Sequence, residues 1–577
     1  MTTHENDAVR VPSGHADIIG QPSAAGELQQ SVVAAAVIEP GTLPLPRSAL
    51  ENVPPQAPRA TSHRRRGGTR RRPWRRLATG PWPLLGILAV QAVLSVRLFW
   101  TNTAFQDEAL YLWSGHLEWA NWLHGARLPT AFPTFLSGAP VVYPPLGAIA
   151  DSLGGLAGAR ALSLCFMLGA TTLLYAVTRR IFGRRAALFA AGLFAGTGSV
   201  QFLGALATYD AMALFLLALA TWLGVRAADA RPAGRYLLLA GTAVALAVAD
   251  AAKYAAMLFD PVAVAVTMLF IWQRRGRRSA LAAAMVTLLL VGLLIGGALV
   301  LGGPRYLHGI AFTTFARQRG TSPAPGILFV SGKWVGAVAG LAVVGAAVLS
   351  SRKNAPVRAL AWSLTMAVFL APAEQARIHV ITSLFKHVAY GAWFGCVVAG
   401  YGIAALASAV PPVKVKAAVR TGVTAVLVFA VPGVILASFH FSGWPTVTPL
   451  ITALRSRLPS VTGPMLMDDS SVEDYYLGKS INWHAVTSNY YFAYGDPRTG
   501  AYITQPAAAY AAAIQNRYFS LIALSYSKDA SGYDQAIRSA VARYGGYQRV
   551  LDAPFRTSAD TGSFMIWIRR PPWHRQH

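Results

Sequence analysis

Apolar residues in this chain gather in runs of about twenty, separated by short polar breaks, with little strict alternation before residue 440. A run of that length is what a helix needs to cross the hydrocarbon core of a bilayer. The first extends from Trp82 to Trp100. Others cover about 156–178, 186–203, 207–225, 236–250, 252–271, 281–302, 334–350, 358–373, 388–409 and 420–439. The pattern predicts a polytopic α-helical membrane protein with about eleven transmembrane helices.

The two ends read differently. Residues 1–76 are rich in Ala, Pro, Ser and Gln and close on arginines (Arg64–Arg66, Arg70–Arg72, Arg75, Arg76), which predicts a disordered basic tail. Beyond 440 the content of Tyr, Asp, Asn and Gly rises and alternation begins at Pro464–Asp468. There Ala507–Tyr518 and Tyr533–Tyr544 read as helices, and Phe564–Ile568 as a last strand. Residues 441–577 are expected to form a small α/β domain, and 77–440 the membrane domain, with a long first loop at about 101–155. Prolines in that loop forbid one continuous helix, while its aromatics suit a helix lying in the interface.

Composition sharpens this picture: 54% of residues are hydrophobic and only 13% charged. A net charge of +27 would suit nucleic acid, but the arginines sit beside apolar runs, so no nucleic-acid partner is expected. Counted from an inside N-terminus, every alternate loop is basic. These loops hold Arg179, Arg180, Arg184 and Arg185; Arg226, Arg231 and Arg235; and Arg274, Arg275, Arg277 and Arg278. Arg352, Lys353 and Arg358 follow, then Lys414, Lys416 and Arg420. The bias predicts a multi-pass plasma-membrane protein with a cytoplasmic N-terminus and an extracytoplasmic C-terminal domain. Cys165 and Cys396 both lie in apolar runs and read as core packing, neither a disulfide nor part of a metal cluster.

That orientation gathers ionisable residues at one boundary. Asp107 and Glu108 follow the first run, Asp210 opens the fourth, and Asp250 and Lys253 sit in a very short break between two runs. The loop 303–333 holds Arg305, His308, Arg317 and Arg319, and 374–387 holds Glu374, Arg377, His379, Lys386 and His387. Charges at a lipid boundary are costly to place and mark function by default. This mixture suits transfer of a group from an anionic lipid-linked donor to a hydroxyl. A carboxylate takes the proton, and cations at Lys253, Arg377, Lys386 and His387 stabilise the departing phosphate. A second carboxylate orients the acceptor or binds a divalent metal ion, with Glu108 and Asp210 as candidate ligands; no cofactor is certain. An apolar cleft between helices would hold the lipid tail.

Several short motifs occur in order and on one side. They are Asp107-Glu108 followed by Ala-Leu-Tyr, Pro144-Pro145-Leu146 ending the first loop, and Gly158–Ala161 opening the second span. The basic turn Arg179–Arg185, Thr208-Tyr209-Asp210 and Lys253-Tyr254 complete the set. Together they resemble the GT-C superfamily of polyprenyl-phosphate-sugar glycosyltransferases, in the branch of the protein mannosyltransferases and aminoarabinose transferases (glycosyltransferase family 39-like). The resemblance implies a GT-C membrane domain and an inverting transfer from a polyprenyl-phosphate sugar at the outer membrane face. It implies Asp107 as general base, Glu108 as its partner in acceptor positioning or metal contact, Asp210 at the active-site mouth, and Lys253 facing the donor phosphate. Tyr143 stands where the family often has His; a tyrosine hydrogen-bonds but is a poor metal ligand. The acceptor class, whether glycan, lipid or protein, stays open, as does the sugar.

Two rivals make different demands. A transporter or flippase for lipid-linked sugars would show charges or broken helices near the midplane and an inverted repeat, and the sequence shows neither. A catalytically silent envelope scaffold would have no need of the Asp-Glu pair. The stretch Asp468, Asp469, Glu473, Asp474, Tyr475 and Tyr476 reads as a solvated helix start, with sugar binding as the alternative.

Overall fold

The computed structural model describes residues 80–571, apart from 130–131, 315, 318, 352–353, 409–414, 469, 490–491 and 528–531. The tail 1–76 and its arginines, together with Arg352, Lys353, Lys414 and Asp469, lie outside the described residues.

The membrane part begins with α1 (Trp82–Val96), the first-loop helices α2 (Gln106–His124) and α3 (Phe132–Phe135), and α4 (Tyr143–Phe182). Then come α5 (Arg184–Gly196), α6 (Gly198–Leu203), α7 (Tyr209–Ala227) and α8 (Pro232–Ala252), and a 3-10 turn leads into α9 (Asp260–Arg275). Last are α10 (Arg277–Thr313), α11 (Ala324–Ser350), α12 (Ala355–Arg377), α13 (Leu384–Ser408) and α14 (Val415–Phe441).

Every apolar run read from the sequence falls on a helix, and eight described helices are long and apolar enough to cross a membrane. The difference from eleven has local causes. Trp82–Val96 is a shorter apolar helix, whereas α14 is 27 residues long. The run 186–203 is interrupted where Thr197 turns extended (φ −69°, ψ 142°) between α5 and α6. Gly196 and Gly198 flank that break, and a Cβ on Gly433 of α14 would lie 2.2 Å from the Gly196 carbonyl oxygen. The interruption lets two backbones touch.

Two long helices are bent where the sequence marks an end. In α4 the helix breaks at Gly154 and Gly155, the latter at φ +59°, so its spanning part starts where the apolar run starts. In α10 Gly303 takes φ +72° directly before Pro304. α13 is the most enclosed of the long apolar helices and α10 the least. Cys396 on α13 is buried, as expected, but Cys165 on α4 is exposed.

The arginine turns meet at one end of the bundle: Arg180 pairs with Asp229, Arg274 lies 3.9 Å from the same carboxylate, and Arg275 donates to the carbonyls of Ala228 and Ala230. The opposite end bears α2, α3 and the C-terminal unit. That unit comprises α15 (Thr448–Arg457), β1 (Met465–Met467), α16 (Ser470–Leu477), β2 (Val486–Ser488), β3 (Tyr494–Gly495) and β4 (Tyr502–Ile503). It continues with α17 (Pro506–Gln515), β5 (Leu521–Ser527), α18 (Gly532–Tyr544), β6 (Tyr547–Arg556) and β7 (Thr561–Arg569). Its main sheet has the order β2-β1-β5-β7-β6, with β2, β1 and β5 parallel and β7 antiparallel to both neighbours. The unit rests on the first loop: Ala104 and Ala109 pack into the cluster that holds Met465, Met467, Phe564 and Ile566. Tyr476 accepts from Ala104 N–H at 2.7 Å, and Tyr475 donates to Asp151 at 2.7 Å. The two tyrosines expected on a solvated helix start therefore join the unit to the loop.

Candidate functional site

α2 starts abruptly after the first span, and Glu108 is the reason. Phe105 is extended at the helix N-cap, and Glu108 folds back so that its Oε2 accepts from Phe105 N–H at 2.9 Å. Arg160 of α4 then grips the same carboxylate with two parallel bonds, Nε to Oε1 at 2.9 Å and Nη2 to Oε2 at 2.7 Å. Ala207 N–H adds a bond to Oε1 at 2.7 Å. The remaining guanidinium hydrogens go to the carbonyls of Phe99, Asn102 and Thr103. Both side chains are fully buried. Where acceptor positioning or metal contact is expected of Glu108, the structure instead gives it a clasp that joins α2, α4 and the segment before α7. Its effect is to fix Asp107, one residue earlier, on the other side of the helix.

Asp107 is the partly open member of the pair, with 28% of its side chain exposed. Lys386, in the first turn of α13, makes a close ion pair with it and reaches to 4.0 Å from Asp210 Oδ2. Lys253 lies 3.5 Å from Asp210 Oδ1 on the other side. Acid and base thus alternate, Asp107–Lys386–Asp210–Lys253, along a line drawn from four separate elements. Asp210 is wholly buried, behind Tyr209, so it lies beneath the site and not at its mouth. Its backbone carbonyl accepts from Tyr390 Oη at 3.1 Å. Tyr209 sits among these groups: its ring stacks on Tyr111 at 4.1 Å, its hydroxyl accepts from Tyr111 at 2.5 Å, and the Lys253 ammonium lies 4.5 Å from its centroid. Burial, helped by Asp107, pushes the Tyr111 hydroxyl well above its ordinary range.

Lys253 is placed by the first loop. Ala139 N–H donates to Ala251 O at 2.7 Å and Tyr254 N–H to Ser137 O at 3.0 Å, which ends α8 and turns Lys253 extended (φ −151°, ψ 112°). A Cβ on Gly138 would lie only 2.1 Å from the Ala252 carbonyl oxygen, so glycine permits this approach. In that single-residue gap between helices, burial pulls the ammonium down to about 8, an effect Asp210 only partly offsets.

A cavity of about 1960 Å³ opens from this line of charges. Toward the bundle it is apolar, with Val248, Leu258, Leu294, Ile295 and Leu299 in its wall. Asp107, Lys253, Lys386 and His387 line its middle, and Arg317 joins them from the loop after α10. Burial holds the Arg317 guanidinium below its ordinary range, and it has no carboxylate partner among the described residues. His387 Nδ1 sits 2.8 Å from the Gln375 amide. Arg377 is on the rim, 65% exposed and already paired with Glu374 at 2.6 Å. Tyr143 does not reach the cavity; it is buried, its hydroxyl 3.4 Å from Ser163 and its ring edge-on to Tyr209. Among the described residues, no three His, Cys, Asp or Glu side chains are grouped to hold a metal ion.

The arrangement can hold a carboxylate beside a hydroxyl and concentrate cations on an anion, at the end of an apolar channel. Residues 148–300 match the family of dolichyl-phosphate-mannose-protein mannosyltransferases. Among solved structures, ArnT from Cupriavidus metallidurans bound to undecaprenyl phosphate aligns with a TM-score of 0.53 at 15% identity, over 84% of this chain and 98% of that one. The fold is GT-C. The apo form of the same ArnT gives a TM-score of 0.52 at 14% identity, over 83% of this chain and 97% of that one. The apo oligosaccharyltransferase of Archaeoglobus fulgidus gives 0.51 at 13% identity, over 82% of this chain and 73% of that one. No curated protein matches the sequence.

Arg317 and Arg160 are the contributors that the sequence pattern did not single out. Arg317 stood among several loop cations, and nothing in its neighbours separated it from Arg305 or Arg319. Arg160 was visible as part of Gly158–Ala161, but its partner lies 52 residues away, on another helix.

Proposed function

We propose that this chain is an inverting glycosyltransferase that moves a sugar from a polyprenyl-phosphate donor to a hydroxyl acceptor at the extracytoplasmic face of the plasma membrane. What supports this most is one continuous cavity in which Asp107 and three cations, Lys253, Lys386 and Arg317, stand between an apolar wall and an open polar wall. The prenyl chain lies against the α8 and α10 side chains, and the phosphate meets the cations. Lys386 holds one oxygen of Asp107, and Asp107 Oδ1 takes the acceptor proton as the acceptor oxygen bonds to the anomeric carbon. The anomeric carbon–oxygen bond breaks on the opposite side, and its electron pair leaves with polyprenyl phosphate.

The donor phosphodiester carries one negative charge and the released phosphate gains a second. Lys253 and Arg317 therefore bind the transition state more tightly than the ground state, which is the difference that speeds a reaction. Lys386 stands between Asp107 and Asp210, and its ammonium compensates the charge of both carboxylates. Purified protein treated with a chelator is expected to keep its turnover; a loss restored by a divalent ion would hand that role to a metal.

The direct test is a donor screen. Purified full-length protein is incubated with a panel of polyprenyl-phosphate sugars and scored for release of polyprenyl phosphate. Release from at least one donor, absent with heat-inactivated protein, is expected. No release from any member in membranes or detergent would overturn the assignment.

A further inference from the structure

Two polar side chains of the cavity wall take no part in the transfer step. Gln375 stands in the last turn of α12 and His387 in the first turn of α13, and both line the cavity. Ser383 sets where α13 starts: it takes φ +63°, and its carbonyl accepts from the N–H groups of Lys386 and His387 at 3.0 and 3.1 Å. A non-glycine residue in that conformation is strained, and strain of this kind persists where a site needs fixed positions. The Gln375 amide nitrogen donates to His387 Nδ1 at 2.8 Å, so the proton of the neutral ring sits on Nε2. That Nε2 and the Gln375 Oε1 are buried, and neither has a partner among the described residues. Turning the amide over gives the same result. Nδ1–H then donates to Oε1, leaving Nε2 as the acceptor and the amide N–H as the donor. Either way the pair offers one unmet donor and one unmet acceptor, with no net charge.

We propose that this pair is a recognition site for one hydroxyl of the transferred sugar. A hydroxyl both donates and accepts, so a single group satisfies both atoms. A phosphodiester only accepts, and would leave the amide oxygen facing a negative charge. An ammonium only donates, and would leave the imidazole N–H unmet. Buried groups left unmet weaken binding, so the pair selects for its match and against a sugar that lacks the hydroxyl. Position ties the pair to the donor. Lys386, the residue before His387, pairs with Asp107, and Lys253 and Arg317 line the same cavity. The sugar is joined directly to the phosphate that these cations hold, so its hydroxyls meet the residues beside them.

The inference rests on the glycosyltransferase reading, and its test separates the two. Full-length protein in nanodiscs is titrated with undecaprenyl phosphate and with its mannose, glucose, galactose and arabinose phosphodiesters. His387→Phe and Gln375→Leu are each expected to weaken at least one sugar-bearing lipid fivefold or more, while undecaprenyl phosphate stays within twofold of its parent value. Equal weakening of both kinds of lipid would give the pair to the phosphate, and sugar-bearing lipids bound as by the parent would give the hydroxyl to the acceptor. Either result overturns the site. Monodeoxy forms of the tightest-binding lipid supply a second measurement. One of them should bind the parent at least fivefold more weakly and lose nothing further in either variant. A thermal melt of each variant guards against unfolding, and if a variant melts early the parent still decides: equal binding of every monodeoxy form overturns the site. If no donor is ever consumed but a sugar-bearing lipid binds and the variants lose it, the glycosyltransferase reading fails and the site stands. If donors are consumed and the variants bind them unchanged, the site alone fails.

Discussion

Adjacent carboxylates can differ completely in use. Asp107 faces the cavity beside Lys386, whereas Glu108 spends its oxygens on Arg160 and two backbone N–H groups. Asp107→Asn is expected to lower transfer by about 10²–10⁴-fold, the usual worth of a positioned base, with donor binding retained in titration. Glu108→Gln is expected to act through stability instead. Removing one partner of a buried pair leaves an uncompensated charge at a cost of about 3–5 kcal/mol, which a thermal melt of the purified protein would register. A Glu108→Gln protein that melts like the parent but has lost transfer would return Glu108 to the chemistry. The sequence displayed the pair but not this division, because a helix start cannot reveal which of two neighbours an arginine 52 residues away will claim.

Among the elements, the shape of the site depends on a backbone contact between α3's neighbourhood and the end of α8. Gly138→Ala is expected to press on the Ala252 carbonyl oxygen and shift Lys253, raising the donor KM with a smaller effect on the acceptor KM. Steady-state kinetics with each substrate varied would show the split; equal changes in both would mean a general loosening. Element ends were the legible part of this fold. Gly154-Gly155 and Gly303-Pro304 stop their apolar runs where the helices bend, since glycine admits the positive φ and proline withholds a donor. The interruption at Thr197 was hidden, because its cause is the approach of α14, some 230 residues later, and the flanking Gly196 and Gly198 only permit it. Tyr143 shows the reverse case: a motif position that looked exposed to substrate is sealed under Tyr209.

For the molecule as a whole, charge gathers in separate places. The turns that hold Arg180 and Arg274 meet at Asp229, while the C-terminal sheet shares its cavity with the Asp107–Lys253 line. Acidity offers a probe of the C-terminal sheet. Asp534 has a folded value near 6, above the ordinary carboxylate value of about 3.9, so the folded protein binds the proton more readily than the unfolded chain. Stability of that unit is therefore expected to rise as pH falls through about 6 and to level off near the ordinary carboxylate value. Asp534→Asn should flatten this slope in melts recorded across that range. An unchanged slope would place the titrating group elsewhere.

The seating of α16 on the first loop has a practical outcome. Tyr476 caps Ala104 N–H three residues before Asp107, and Ala104 and Ala109 are covered by side chains of the sheet. A chain cut after residue 441 would leave the segment that aims Asp107 without its lid, even with every spanning helix intact. Loss of turnover in such a shortened protein would report a badly aimed carboxylate, and re-adding residues 442–571 in trans should bring activity back.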